Sequence, residues 1–138
     1  MTKHQIHIYN SLRKLRIPPH VRGYEFLKSA MSYIHSNPNS IYSVTKDLYP
    51  GVAAIHNTTA SKVERGIRFA IKSIKADDAE VYSVLGRTGH MTNSQFIATL
   101  NESIWVEMAL EKERFKGPEH YREFHESRDE LLEEPRKF

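Results

Sequence analysis

Residues 57–72 read NTTASKVERGIRFAIK. Asn57 tolerates left-handed backbone geometry and suits a tight turn. Thr58 or Thr59 is placed to cap a helix, its hydroxyl accepting from an early backbone N–H. Beyond it the apolar residues recur with helical period. At about 100° per residue, Val63, Ile67, Ala70, Ile71 and Ile74 share one side of the wheel. Ser61, Lys62, Arg65, Arg68 and Lys72 share the other, with Arg65 near the apex. A helix of this kind anchors one face in a core and offers guanidinium and ammonium groups to a polyanion. Gly66 inside it is an intrinsic weakness of up to about 1 kcal/mol relative to Ala. The short apolar segment before the turn (Val52, Ala53, Ile55) completes the pattern of a helix-turn-helix, whose second helix enters the DNA major groove.

The competing explanation is an ordinary solvated face, because lysine and arginine runs are common on helices. A solvated face usually mixes signs to gain i,i+4 pairs. Here Glu64 is the only acidic residue between positions 58 and 76, which favours DNA reading.

At 138 residues the chain is long enough for one domain with a real core. With no cysteine, it has no disulfide, thiolate metal site or cysteine nucleophile, as suits a reducing cytoplasm. No apolar run approaches the roughly 20 residues of a membrane span, and the first residues lack the apolar stretch of a signal peptide. A soluble, cytoplasmic, bacterial protein is expected. The formal charge of +3 is unevenly spread. Positions 117–138 hold seven acidic and four basic residues, a net of −3, leaving +6 on positions 1–116. A basic body points to a polyanionic partner.

The chain reads as helical nearly throughout. A first helix over about 3–16 carries Ile8, Leu12 and Leu15, and Pro18-Pro19 stops it. A second, from near Gly23, carries Tyr24, Leu27, Met31 and Ile34. A third spans about 42–55 with Val44, Leu48, Val52 and Ile55 in register. Pro50 falls within it, so the helix either kinks there or restarts with Pro50 in a new first turn. A short helix over about 77–85 follows the cationic one. Thr92 and Gln95 then match a capping box, opening a long helix with Ile97, Leu100, Ile104, Met108 and Phe115 on one face. The expected architecture is an all-α, compact multi-helix domain over 1–116, with an extra amphipathic helix in a charged tail, 117–138, built on Tyr121, Phe124, Leu131 and Leu132.

Three blocks carry a resemblance: IPPHVRGY at 17–24, VTKDLYP at 44–50, and NTTASKVER at 57–65 with Ile67-Arg68 and Ala70-Ile71. MTNSQFIA at 91–98 is similar too. In unbroken order from about 8 to 106, they resemble the DNA-binding effector domain of the master sporulation response regulator of endospore-forming bacteria. The resemblance implies an all-helical domain that reads a short DNA box from the major groove, with tandem or dimeric assembly on DNA. It implies base contacts from Ser61, Lys62, Glu64, Arg65 and Arg68. Arg65 has the fork for guanine O6/N7, and Glu64 can accept from cytosine N4. Glu64 is equally suited to an ion pair with Arg68 at i+4. Thr58, Thr59, Lys46 and Lys72 suit phosphates, which fix register without reading sequence; Arg22 and His20, in the family's loop, join them.

Three departures stand out: Lys62 where the family usually has Arg, Gly66 for Ala, and Phe69 for His. Lys lacks the bidentate fork, and Phe69 could meet a thymine methyl or a protein partner. The loop 86–91 is shorter than the family's, in the region the resemblance associates with RNA polymerase. The family carries a phosphorylatable receiver ahead of this domain. Here Met1 stands almost at the first helix, so receiver-driven dimerisation is not expected within this chain.

No catalytic residue, metal site or cofactor is expected. None of HExxH, CxxC, GxSxG or a phosphate-cradling glycine loop occurs, and the eight histidines are scattered. The alternative to DNA reading is a protein-interaction module that pairs with or antagonises a full-length regulator of the same family.

Overall fold

Thr2 and Gln5 open the first helix by exchanging hydrogen bonds, Gln5 N to Thr2 Oγ1 at 3.1 Å and Thr2 N to Gln5 Oε1 at 2.8 Å. The computed structural model describes residues 1–114. Its α-helices are α1 (Lys3–Lys14), α2 (Arg22–Ser36), α3 (Tyr49–Ile55), α4 (Ala60–Lys72), α5 (Asp78–Leu85) and α6 (Asn93–Arg114). A 3₁₀ turn (Pro38–Tyr42) and a wide π turn (Val44–Leu48) link α2 to α3. The described residues contain no strand, so their fold is all-α. None of their helices is long and apolar enough to cross a membrane. The expected tail helix and Phe115 lie outside the described residues.

One core joins all six helices. Ile8 and Leu12 of α1, Leu27 and Met31 of α2, Val52 of α3, Ile67 of α4, and Ile97 and Leu100 of α6 are at most 2 % exposed. The helical stripes read from the sequence therefore face inward on α1, α2 and α4. On α6, Ile97, Leu100 and Ile104 are buried, while Met108 packs at the margin. Phe96 and Asn101 are buried too, because the first half of α6 passes between neighbours on more than one side.

One boundary differs from expectation, and the alternative left open at Pro50 is decided. The first helix ends at Lys14, before the prolines. Arg16 turns left-handed (φ 56°), Ile17 N donates to Leu12 O, and Arg16 N donates to Arg13 O. This Schellman closure terminates the helix ahead of Pro18. Of the two alternatives for the third helix, the structure shows the restart at Pro50. Pro50 has no N–H and would clash with the carbonyl four residues back. The chain widens into the π turn, with Leu48 N bonding Ser43 O, and α3 restarts with Pro50 in its first turn. The split rotates Ile55 off the core stripe, leaving it 60 % exposed, and Val44 only half-buried.

Candidate nucleic-acid interface

The turn ahead of α4 is built by a second Schellman closure. Asn57 is left-handed (φ 51°), Thr58 N donates to Ala53 O at 2.9 Å, and Asn57 N donates to Ala54 O at 3.4 Å. Thr59 Oγ1 then accepts from Lys62 N at 3.2 Å, making Thr59 the cap. A four-residue turn, 56–59, thus joins α3 to α4 and fixes where α4 begins.

On α4, Val63, Ile67 and Ala70 are fully buried. Ser61, Lys62, Arg65, Arg68, Phe69 and Lys72 are exposed. Phe69 shows 58 % of its surface, an apolar ring amid cations. Glu64 pairs with Arg68, Nη1 to Oε1 at 2.9 Å. Among the described residues, Lys62, Arg65 and Lys72 form no ion pair, which leaves three uncompensated positive charges on one helix face.

Two contacts hold that face in place. The first is a crossing of α2 and α4 at paired glycines. A Cβ on Gly23 would stand 2.0 Å from the Gly66 carbonyl oxygen, and one on Gly66 would stand 2.7 Å from the Phe26 ring. The two backbones touch because Gly23 has no side chain. Gly66, a weakness by helix propensity alone, leaves room for the Phe26 ring of α2. Phe26 lies beneath it, with the Arg22 guanidinium 5.2 Å from its ring centre and the His56 ring edge-on at 5.2 Å. His56 shares a 2.7 Å hydrogen bond with Ser29, tying the turn to α2.

The second is Asn93, the first residue of α6. Its Nδ2 donates to the Glu64 carbonyl at 3.0 Å and to the Tyr49 hydroxyl at 3.1 Å. One amide thus links α3, α4 and α6. Burial pushes the Tyr49 pKa up, against the opposing effect of the Asn93 bond, so the phenol stays neutral at physiological pH.

The sequence-expected residues gather unequally. Ser61, Lys62, Glu64, Arg65, Arg68 and Lys72 share α4. Thr58 and Thr59 stand at its start, and the glycine crossing brings Arg22 beside its midpoint. A cleft of about 770 Å³ runs between α4, the π turn and the start of α6, bordered by Thr45, Arg68, Lys72, His90 and Ser94. Lys46, exposed, follows Thr45 on that turn. His20 is exposed in the loop joining α1 to α2 and makes no hydrogen bond among the described residues.

Gly23, Tyr49 and Asn93 escaped the sequence reading. Asn93 sits inside the Thr92–Gln95 capping box, which forms as expected (Gln95 N to Thr92 Oγ1 3.2 Å, Thr92 N to Gln95 Oε1 3.0 Å). That local role masks its bonds to other helices. Gly23 could have been flagged as a glycine that a helix interior would otherwise disfavour. Among known families, residues 8–104, more than two thirds of this chain, match the one described as sporulation initiation factor Spo0A C terminal.

Proposed function

The chain belongs to the sporulation initiation factor Spo0A C-terminal family, whose members are non-enzymatic DNA-binding effector domains, and from that premise we propose that it is a sequence-specific transcription regulator that lays α4 in the DNA major groove. The observation that carries this reading is the division of α4: one face sealed in the core, the other presenting Lys62, Arg65 and Lys72 without ion-pair partners among the described residues. In this reading α3 and α4 act as a helix-turn-helix.

Arg65 is the principal base reader, forking onto guanine O6 and N7. Ser61 and Lys62, one turn nearer the helix start, contact neighbouring bases, Lys62 as a point charge without a fork. Glu64 and Arg68 engage DNA by exchanging partners. Their exposed i,i+4 pair is worth only about 0.3–0.5 kcal/mol, so a cytosine N4 donor and a guanine or phosphate acceptor displace it at little cost. Lys46, Thr58, Thr59, Lys72, Arg22 and His20 contact phosphates and set the register. The exposed ring of Phe69 suits a thymine methyl.

A salt-titrated mobility shift on a box selected from random duplex DNA tests this. Wild type is expected to lose affinity steeply with salt through counterion release. Arg65→Ala is expected to lose about 1–3 kcal/mol of discrimination between box and scrambled duplex, while Lys72→Ala weakens both alike and lowers the salt slope by about 1. Equal discrimination by Arg65→Ala and wild type would overturn the reading.

A further inference from the structure

Tyr33, in the last turn of α2, reaches across to the π turn that precedes α3. Its hydroxyl donates to Asp47 Oδ1 at 2.6 Å. Gly51 makes the reach possible. A Cβ there would stand 2.3 Å from Tyr33 Cε2, 2.5 Å from Cζ and 2.9 Å from the hydroxyl oxygen. The phenol therefore lies over the bare backbone of α3. It is fixed from behind as well, because Asn37 closes the end of α2 onto the Tyr33 carbonyl, its N at 2.7 Å and its Nδ2 at 3.1 Å. The bond to Asp47, with burial a smaller cause, holds the Tyr33 pKa above its ordinary 10.0, so the phenol keeps its proton and is the donor. An isolated π turn is a rare geometry. In this one Asp47 N and Leu48 N share a single carbonyl, that of Ser43, at 2.8 and 3.2 Å. The side chain of Tyr33 adds a support from another helix. Thr45 and Lys46 are the exposed residues of the turn. Thr45 borders the cleft whose opposite bank carries Arg68 and Lys72 of α4. Lys46 forms no ion pair among the described residues, so the position of its ammonium follows from the position of the turn.

Resting on the DNA reading of α4, we propose that Tyr33 is a positioning residue for the DNA backbone: through Asp47 it sets the π turn, and with it Lys46, at the distance from α4 where the ammonium meets a phosphate. Two observations separate this role from space-filling. A phenylalanine ring would cover Gly51 as well as a tyrosine ring does, so packing alone does not call for the hydroxyl, whose partner is Asp47. The Asp47 carboxylate is engaged by the phenol and makes no ion pair among the described residues, which leaves the adjacent Lys46 uncompensated for an anion. Tyr33 itself touches no base and no phosphate in this arrangement. It acts by preorganisation, since a turn already in place has less freedom to lose on binding. The contact it serves carries no sequence information, so its loss weakens every duplex alike.

A double-mutant cycle on the full-length chain tests the assignment, with salt-titrated binding to the selected box and to a scrambled duplex. Removing one phosphate contact lowers the salt slope by about 0.9, which is about fivefold in affinity at 0.15 M salt relative to 1 M. Lys46→Ala is expected to show that loss. Tyr33→Phe, which keeps the ring over Gly51, is expected to reproduce most of it, about three- to fivefold, with a lower slope and unchanged discrimination between the two duplexes. The double variant should lose no more than Lys46→Ala alone, because the hydroxyl acts only through Lys46. A folding defect would instead weaken both backgrounds equally, so a double variant that loses the product of the two single losses overturns the proposal. Wild-type affinity and slope in Tyr33→Phe overturn it, as does a Lys46→Ala protein that binds like wild type. In each of these cases wild type still binds the box, and the DNA reading of α4 stands. Absence of salt-dependent binding by wild type overturns that reading, and the role of Tyr33 with it.

Discussion

The contact between α2 and α4 makes a ranked prediction about two glycines. On Gly23, an added methyl would lie 2.0 Å from the Gly66 carbonyl oxygen and 2.6 Å from the Ala70 Cβ. Ordinary contact begins near 3.4 Å, so the helices must part by about 1.4 Å. No rotamer change relieves the clash, because the obstacle is backbone. A gap of 0.5–1 Å already forfeits a quarter to a half of a contact's dispersion energy. The opened seam includes Ile67 and Ala70, both fully buried. Overpacking costs about 1–3 kcal/mol, occasionally more, and the gain in helix propensity is at most about 1 kcal/mol. Because the obstacle is backbone, the upper end of that range applies, about 3 kcal/mol less at most about 1, so Gly23→Ala is expected to lose about 2–3 kcal/mol net, and Tm about 6–15 °C, at roughly 3–5 °C per kcal/mol for a chain of this size. On Gly66 the methyl meets the Phe26 ring at 2.7 and 2.8 Å, and a side chain can give way. Gly66→Ala should thus cost only about 0–2 kcal/mol after its propensity gain. Urea titration of both variants, with an unchanged m-value as the check on two-state behaviour, measures the ranking. A Gly23→Ala protein within about 0.5 kcal/mol of wild type, or one more stable than Gly66→Ala, would refute the backbone-contact reasoning.

Asn93→Ala strips the Glu64 carbonyl and the Tyr49 hydroxyl of a shared donor; a loss of about 1–3 kcal/mol is expected in urea, against about 0.5–1.5 for Tyr49→Phe, with DNA affinity falling in both. Thr59→Ala removes the cap of α4 and should cost about 1 kcal/mol, while Thr59→Ser restores most of it, as read from thermal unfolding. Burial, with His35 and His7 nearby, holds the His4 pKa below its ordinary 6.5, so the unfolded chain takes up the proton first. Stability attributable to this site is complete above about pH 6.5 and lost as pH falls towards the lowered folded value; His4→Gln should flatten the urea midpoint between about pH 7.5 and pH 5.5, and an unchanged slope would remove His4 from the account.

Much of the fold was readable because helical periodicity and burial are the same fact seen twice. Tyr24, Leu27, Met31 and Ile34 repeat at helical intervals, and all four are at most 3 % exposed. The cationic face was readable for the same reason, since Val63, Ile67 and Ala70 dictate which residues must point away. Local turn chemistry carried the rest: Asn57 takes the left-handed turn, and the Thr92–Gln95 box forms. What resisted reading is set by contacts between distant segments. The periodicity at 42–55 was real, yet Pro50 forced a change of helix type that rotated Ile55 outward, and hydropathy cannot register such a rotation. Arg16 adopts a left-handed conformation that its side chain disfavours, because the closure onto Leu12 and Arg13 outweighs local preference. Gly66 was weighed against Ala as an isolated helix residue, whereas its value depends on the Phe26 ring, from a residue 40 positions earlier, which stands where its Cβ would be.

These long-range contacts bear directly on how α4 would read DNA. The glycine crossing fixes the distance between α4 and α2, and Asn93 fixes the start of α6 against the Glu64 carbonyl. The turn is tied to α2 through His56 and Ser29. With the helix axis held from three directions, little backbone ordering is left to oppose binding, so affinity and discrimination fall to the exposed side chains themselves. Of these, Arg65 has a planar fork and Lys62 a mobile point charge. In the proposed complex, therefore, the base opposite Arg65 should be the most strongly specified position of the box. The base opposite Lys62 should tolerate substitution, because an ammonium on a flexible stem can accept several acceptor arrangements where a guanidinium cannot. Lys62→Arg on the same rigid helix should narrow that one position and leave the base opposite Arg65 unchanged. A general gain in affinity without a change in the selected sequence would mean that residue 62 touches phosphate instead of base.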